Sequence, residues 1–168
     1  MIDRINIIVN NLYNSQLCYY VSKELNLIRK NFPNIDCIVF IEEPSPFTIT
    51  PFFGIMNIAE VYDQPGLTIA TSLSTAKRLI SCWAPQHKVF YSWDLFWLRG
   101  RQKVYEPYFH IYNGEYDVVA RNIEHKKIIE NNFNVKVKGI IENFNIGEFI
   151  RLYDANIGDQ ECQKNLIS

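Results

Sequence analysis

The stretch YDVVARNIEHKKIIENNFNVKVKGIIENFNIGEF (116–149) decides the fold, because it contains two apolar runs separated by an amphipathic segment. The run YDVVAR (116–121) predicts a strand. Residues 122–133 show helical spacing, and VKVKGIIEN (135–143) predicts the next strand. A strand, a helix and a strand in this order favour a right-handed β-α-β crossover between parallel strands.

The same alternation extends in both directions from this stretch. It predicts a doubly wound, Rossmann-like α/β domain over 1–153, with a mainly parallel sheet of about six strands flanked by helices, and a polar tail over 154–168. The other predicted strands are INIIVNN (5–11), IDCIVFIEE (35–43), LTIATS (67–72) and KVFYSWD (88–94). Helices are predicted over 15–32 and from 146, and another behind the third strand is marked by Leu73, Ala76, Leu79, Ile80 and Trp83.

One connection, EEPSPFTITPFFG (42–54), differs from the rest because it carries three prolines. Prolines keep a chain extended. The Phe residues of this segment either pack over a sheet edge or reach a partner.

Charge, hydropathy and cysteine content argue against a nucleic-acid-binding or membrane-spanning protein and favour a cytoplasmic one. The 168 residues include 17 basic and 18 acidic side chains, with no Lys/Arg block that would indicate a nucleic-acid partner. No apolar run approaches the ~20 residues of a membrane span. Of the four cysteines, Cys18, Cys37 and Cys82 have apolar neighbours, which predicts buried free thiols in a reducing cytoplasm. The Ile, Asn and Lys content is typical of AT-rich coding, as in some bacteria or phages.

Several catalytic signatures are missing from the sequence. The first predicted strand leads into NNLYNS (10–15), which lacks the glycines of a dinucleotide site. There is no P-loop lysine motif and no G-x-S-x-G elbow, and the three histidines have no metal-ligand spacing. We therefore predict neither a cofactor nor a metal, and the residues alone do not indicate an enzymatic reaction.

Ligands of open α/β sheets bind beyond the carboxyl ends of the strands, so polar residues there are the candidate site. Their amides, hydroxyls and charges suit a carbohydrate or another polyhydroxylated ligand, and the two tryptophans could stack on a ring. The simpler alternative is local: such residues commonly cap turns and helix N-termini. The candidates are Asn10, Asn11, Glu42, Glu43, Thr71, Ser72, Trp93, Asp94, Trp97, Arg99, Arg121, Asn122, His125, Glu142, Asn143 and Asn145.

The segment 116–149 also resembles the end of the N-terminal domain of GT-B glycosyltransferases, in which a strand ends in a Ser-like residue and a later strand delivers an Asn-Gly motif closed by an aromatic. Arg121 and Asn122 stand at the Ser position. In IENFNIGEF (141–149), Asn143 matches the Asn, Phe144 replaces the Gly and Phe149 is the closing aromatic. Upstream, VFYSWDLFW (89–97) and IATSLSTAKRL (69–79) are similar to the preceding units of such domains.

The resemblance implies an acceptor-side half of a glycosyltransferase that is not a complete enzyme alone. In that family a second domain carries most nucleotide-sugar contacts, so the implied partners are a donor-binding subunit or a homo-oligomer. By analogy Asp94 is the catalytic base or an acceptor ligand, and Asn11, Glu43 and Trp93 line the acceptor cleft. The alternative interpretation is a non-catalytic assembly module whose aromatic loops, 47–53 and 91–97, contact other proteins.

Overall fold

The computed structural model describes residues 2–99 and 106–154. Within these residues seven parallel strands form one sheet in the order β3-β2-β1-β4-β5-β6-β7. The strands are β1 (Arg4–Val9), β2 (Asp36–Ile41), β3 (Gly54–Asn57), β4 (Leu67–Ala70), β5 (His87–Ser92), β6 (Asp117–Ala120) and β7 (Val137–Ile140). The helices are α1 (Gln16–Asn31), α2 (Leu73–Ser81), α3 (Glu106–Tyr112), α4 (Ile123–Phe133) and α5 (Ile146–Tyr153).

Helices cover both faces of the sheet, which explains why its central strands are apolar on both sides. Ile7, Ile69 and Tyr91 belong to a core that includes α1 and α5. Their neighbours Ile8 and Phe90 belong to a second core with α2, α3 and α4. The predicted Rossmann-like α/β fold is therefore confirmed, with seven strands in place of about six.

Two elements were not predicted from the sequence. The extra strand, β3, follows the proline-rich connection and is only four residues long, with partly exposed side chains, so it lacks the apolar run that marks the other strands. Helix α3 has only seven residues, which is too short for a clear helical period. The formation of β3 and α3 therefore depends more on strand pairing and tertiary packing than on a hydrophobic pattern in their own sequence.

The prediction that the helix behind the third predicted strand includes Trp83 is wrong. Helix α2 ends at Ser81, Cys82 has an extended backbone, and Trp83 is 75% exposed. Pro85 disfavours helical backbone at the residue before it, so the helix cannot continue through this segment. The indole is thereby left at the surface.

The proline-rich connection divides its aromatic residues between interior and surface. Phe53 is buried in the core on the α1 side, whereas Phe47 and Phe52 are exposed. Phe53 therefore packs within the protein itself, and Phe47 and Phe52 lie at the surface.

The three cysteines predicted to be buried free thiols are so placed. Burial raises the pKa of Cys37 to about 12, so this thiol remains protonated at neutral pH. Cys162 and the rest of the predicted tail beyond Asp154 lie outside the described residues. Among the helices that are described, none combines the length and the apolar character needed to cross a bilayer.

Candidate functional site

The strand order places a crevice at the carboxyl ends of β1 and β4. From β1 the chain winds outward through β2 to β3 and then returns to add β4 on the other side. The connections leaving β1 and β4 therefore diverge to opposite faces and leave a gap between them, which is where ligands of such sheets bind.

Polar side chains fill this crevice with a hydrogen-bond network. The Ser72 hydroxyl donates to Oδ1 of Asn10 over 2.9 Å, and Nδ2 of Asn10 donates to the Ser74 hydroxyl over 2.9 Å. Nδ2 of Asn10 also lies 3.4 Å from Oε2 of Glu42. The network brings together candidates that follow three different strands.

Arg78 of α2 closes this network. Its guanidinium lies 2.7 Å from Oε1 of Glu42, and hydrogen bonds to the Tyr62 hydroxyl and to Glu42 raise the pKa of Arg78. Sequence reasoning missed Arg78 because a residue on the second turn of a helix reaches the strand ends only through its long side chain. The Glu42 carboxylate is thus already paired at this crevice.

Thr71 and Ser72 have structural roles at the start of α2. Thr71 is buried, and its hydroxyl donates to the carbonyl oxygen of Ile8 over 2.9 Å. Ser72 caps the helix, with Thr75 completing a reciprocal capping box. Both residues therefore have the local structural roles that were the alternative to ligand binding, although the Ser72 hydroxyl also donates to Asn10.

Asn11 and Glu43 lie beside this network. Oδ1 of Asn11 accepts a hydrogen bond from the backbone amide of Tyr13 over 3.0 Å, as in a turn. Glu43 is exposed, and its backbone amide donates to the carbonyl oxygen of Asn10 over 3.1 Å. Of these two side chains, Glu43 is the one more open to a ligand.

A second group of candidates lies at the ends of β5 and β6. Trp93 is 8% exposed, and the guanidinium carbon of Arg121 lies 4.0 Å from the centre of its ring. Arg121 also donates to Oε1 of Gln16 over 3.3 Å. A ligand arriving here meets the guanidinium before the indole, so Trp93 supports Arg121 instead of offering an open stacking surface.

Arg121 borders a small cleft of about 230 Å³ together with Asn122, Glu142 and Asn143. Oδ1 of Asn122 accepts from the backbone amide of His125 over 2.8 Å and caps α4. The cleft thus combines a cation, a carboxylate and two amides. The other candidates that follow β6 and β7, His125 and Asn145, do not line the cleft, and Oδ1 of Asn145 caps α5 instead.

The segment after β5 sends its aromatic residues to opposite faces. Trp93 packs in the core on the α1 side, whereas Trp97 is buried on the other side and its Nε1 donates to the Tyr112 hydroxyl over 3.2 Å. Trp97 is therefore not available for stacking at the crevice. Between them, Asp94 is exposed and forms an ion pair of 2.6 Å with Arg99.

The turn after β7 has an unusual backbone. Asn143 and Phe144 have φ values of 52° and 57°, in the left-handed region that glycine adopts most easily. The Phe144 ring is fully buried and lies edge-on to Tyr91, at 5.2 Å between ring centres. The Tyr91 hydroxyl in turn donates to the carbonyl oxygen of Ile141 over 2.6 Å.

In the part of the chain that the structure describes, no three His, Cys, Asp or Glu side chains are grouped so that they could hold a metal ion. The arrangement at the carboxyl edge suits hydrogen bonding and charge pairing with a polar ligand. Comparisons with protein-family models, with curated proteins and with solved structures found no match for this chain.

Proposed function

We propose that the chain is a glycosyltransferase-like half-domain that binds a carbohydrate or a similar polyhydroxylated acceptor at the carboxyl edge of its sheet. The observation that carries the proposal is the cleft in which Arg121, Asn122, Glu142 and Asn143 converge. Carboxylate and amide oxygens accept hydrogen bonds from sugar hydroxyls, and the guanidinium and amide nitrogens donate to them. A cleft of about 230 Å³ matches one small polar ring more closely than a dinucleotide.

The backbone at Phe144 supports the likeness to GT-B glycosyltransferases. Phe144 occupies the position of the glycine in the Asn-Gly motif of that family, and its φ of 57° is one that glycine would adopt without strain. Burial of the ring against Tyr91 and Phe149 gives a physical reason for a Phe in this conformation.

In this proposal Asp94 receives the proton of the acceptor hydroxyl. The acceptor oxygen attacks the sugar carbon of a nucleotide sugar held by a partner subunit, and the diphosphate leaves with the bonding electron pair. Asp94 is assigned this role because it follows β5 at the same edge of the sheet and its carboxylate is exposed. Its ion pair with Arg99 has to open before the carboxylate accepts the proton. The donor site is assigned to the partner, since the described cleft is too small for a nucleotide sugar as well.

The proposal is tested by titrating ¹⁵N-labelled protein with a panel of monosaccharides and disaccharides. We expect saturable shifts of the amide signals of Arg121, Asn122 and Asn143, with a dissociation constant of about 1 mM, equivalent to about −4.1 kcal/mol. Arg121→Gln should abolish these shifts, and Lys77→Gln on the exposed side of α2 should not. Shifts that are absent, or equally strong in Arg121→Gln, would remove the carbohydrate proposal.

A second candidate function is assembly with other proteins through the aromatic loops. It is favoured by the exposure of Phe47, Phe52 and Phe96, which are 49%, 70% and 63% exposed, since large exposed aromatics often anchor protein contacts. Sedimentation equilibrium of the protein and of Phe47→Ser and Phe96→Ser variants tests self-association. A monomer at every concentration would exclude the homo-oligomeric form of this function.

A further inference from the structure

An apolar groove lies on the outer side of α1, beside the connection that leads to β3. Its volume is about 510 Å³, and its lining includes Lys23, Asn26, Leu27, Lys30, Ile49 and Phe52. Helix α1 ends at Asn31, shortly before β2 begins at Asp36, so the groove lies toward the amino ends of the strands. It is therefore distinct from the cleft at the carboxyl edge.

One side chain holds the second wall of this groove in place. Nδ2 of Asn26 donates to the carbonyl oxygen of Thr50 over 2.9 Å, and the backbone amide of Phe52 donates to Oδ1 of Asn26 over 2.8 Å. Both polar atoms of the amide thus bind the connection to the helix. The groove is preformed, so an occupant need not order this segment when it binds.

The groove presents an apolar surface that is only partly covered by the protein itself. Phe52 is 70% exposed and Leu27 is 39% exposed, and the half-buried Ile49 of the connection also lines the groove. Large apolar side chains grouped around a recess are typical of a contact site. An aliphatic or aromatic side chain of a partner could pack against these residues.

The charges around the groove are cationic. Lys23, Arg29 and Lys30 line it, and no carboxylate does so among the described residues. Arg29 donates to the carbonyl oxygens of Pro33 and Ile35, which fix its guanidinium without cancelling its charge. Oε1 of Glu24 lies 4.0 Å from Nζ of Lys23, a separation that leaves the lysine only weakly paired.

We propose that this groove binds an acidic peptide segment of a partner protein, with an aliphatic or aromatic anchor seated against Phe52 and carboxylates facing Lys23 and Lys30. The proposal deepens the second function above, contact with other proteins, and is independent of carbohydrate binding. We propose a peptide and not a lipid bilayer because the apolar side chains line a recess between α1 and the connection, into which a single side chain can be seated.

The test measures binding of a fluorescein-labelled peptide in which one Phe and one Leu lie among Asp and Glu residues. A matched peptide carries Asn and Gln in place of the acids. We expect the acidic peptide to bind saturably, and the double variant Lys23→Glu/Lys30→Glu to raise its dissociation constant at least roughly tenfold. The control variant Lys77→Glu/Lys127→Glu, with both charges on the opposite face, should change it by less than about twofold.

The apolar part is tested with Phe52→Ala against Trp83→Ala, because Trp83 is a similarly exposed aromatic, at 75%, outside the groove. Phe52→Ala should raise the dissociation constant at least roughly fivefold, and Trp83→Ala should leave it unchanged. Because Phe52 is mostly exposed, the variant is expected to fold, and its circular dichroism and melting temperature check this.

Equal binding of the acidic and amide peptides, or equal effects of the groove and control variants, would overturn the proposal. Binding to phosphatidylserine vesicles with the same dependence on Lys23 and Lys30, without peptide binding, would overturn it in favour of a membrane contact. The acidic peptide could fail to bind while Phe47→Ser or Phe96→Ser abolishes self-association. That result would overturn the groove proposal and still support assembly through the aromatic loops.

Discussion

The Tyr91 hydroxyl of β5 reaches across the core and donates to the carbonyl oxygen of Ile141, at the end of β7, over 2.6 Å. The Tyr91 ring also contacts Phe144 and Phe149 edge-on. A single residue of a central strand therefore fixes the turn that carries Glu142 and Asn143 to the cleft. The rigidity of one wall of the proposed site depends on this contact.

Replacing Tyr91 by Phe should lower the free energy of unfolding by about 1–3 kcal/mol, because the carbonyl oxygen of Ile141 would be left buried without its donor. Urea unfolding at neutral pH measures the change. Tyr13→Phe is the matched control, since Tyr13 is 60% exposed and should lose little. Equal stability of Tyr91→Phe and the unaltered protein would show that the hydrogen bond contributes nothing net.

The Phe144→Gly variant should be more stable than the Phe144→Ala variant. This is the reverse of what is usual within helices and strands, where glycine destabilises relative to alanine. Both variants lose the buried ring and unfold more easily, by about 3–5 kcal/mol for alanine. Glycine adopts the φ of 57° without strain. The free energy of unfolding of Phe144→Gly should therefore be about 1 kcal/mol higher than that of Phe144→Ala.

The control for this prediction is Phe149, which is also fully buried but lies within α5. There the alanine variant should be the more stable one by about 1 kcal/mol, because glycine disfavours a helix. If the alanine variant is more stable than the glycine variant at both positions, the left-handed backbone at Phe144 is not a source of strain.

Alkaline pH should destabilise the protein through Cys37. Burial raises the pKa of this thiol to about 12 from an ordinary value of 9.0. Above pH 9 the unfolded chain loses this proton and the folded protein keeps it, so the unfolded state binds fewer protons and the free energy of unfolding falls with rising pH. At pH 10 the loss due to this thiol is about 1.4 kcal/mol relative to pH 7.

Unfolding of the unaltered protein and of Cys37→Ala at the two pH values isolates this effect, because other groups titrate in both proteins. The variant should lose less stability between pH 7 and pH 10 than the unaltered protein. Identical losses would mean that the thiol is accessible to solvent in the folded state.

Asp94→Asn should weaken acceptor binding or transfer without a matching loss of stability. The Asp94–Arg99 ion pair is exposed, with 44% of the Asp94 side chain accessible, and such pairs contribute about 0–1 kcal/mol. Arg99→Gln serves as the control, since it breaks the same ion pair but keeps the carboxylate. If both variants reduce transfer equally, the pair matters as a whole and Asp94 has no separate role.

The sequence predicts most of the sheet because strands buried on both faces carry their own signal. The run at 116–121 and the strand β6 (Asp117–Ala120) differ only at their ends. By contrast β3 was missed, since a four-residue strand at a sheet edge is defined by pairing with β2, which no local pattern reports.

The candidate site was predictable in part from the rule that ligands of open α/β sheets bind beyond the carboxyl ends of the strands. That rule places Asn10, Ser72 and Glu42 at one crevice, and the structure links them by hydrogen bonds. It does not report the direction of side chains, so it could not separate Trp93, next to the cleft, from Trp97, buried on the other face. It also could not identify Gln16 or Arg78, which reach the edge from helices.

The contact between Arg121 and Trp93 makes the proposed cleft optically observable. The three tryptophans have different surroundings, because Trp83 is exposed, Trp97 is buried, and Trp93 is buried beneath a guanidinium. A ligand that draws Arg121 away from the indole changes the polarity next to that ring alone. With Trp83 and Trp97 replaced by Phe, the remaining emission would act as an intrinsic reporter of occupancy, without any added label.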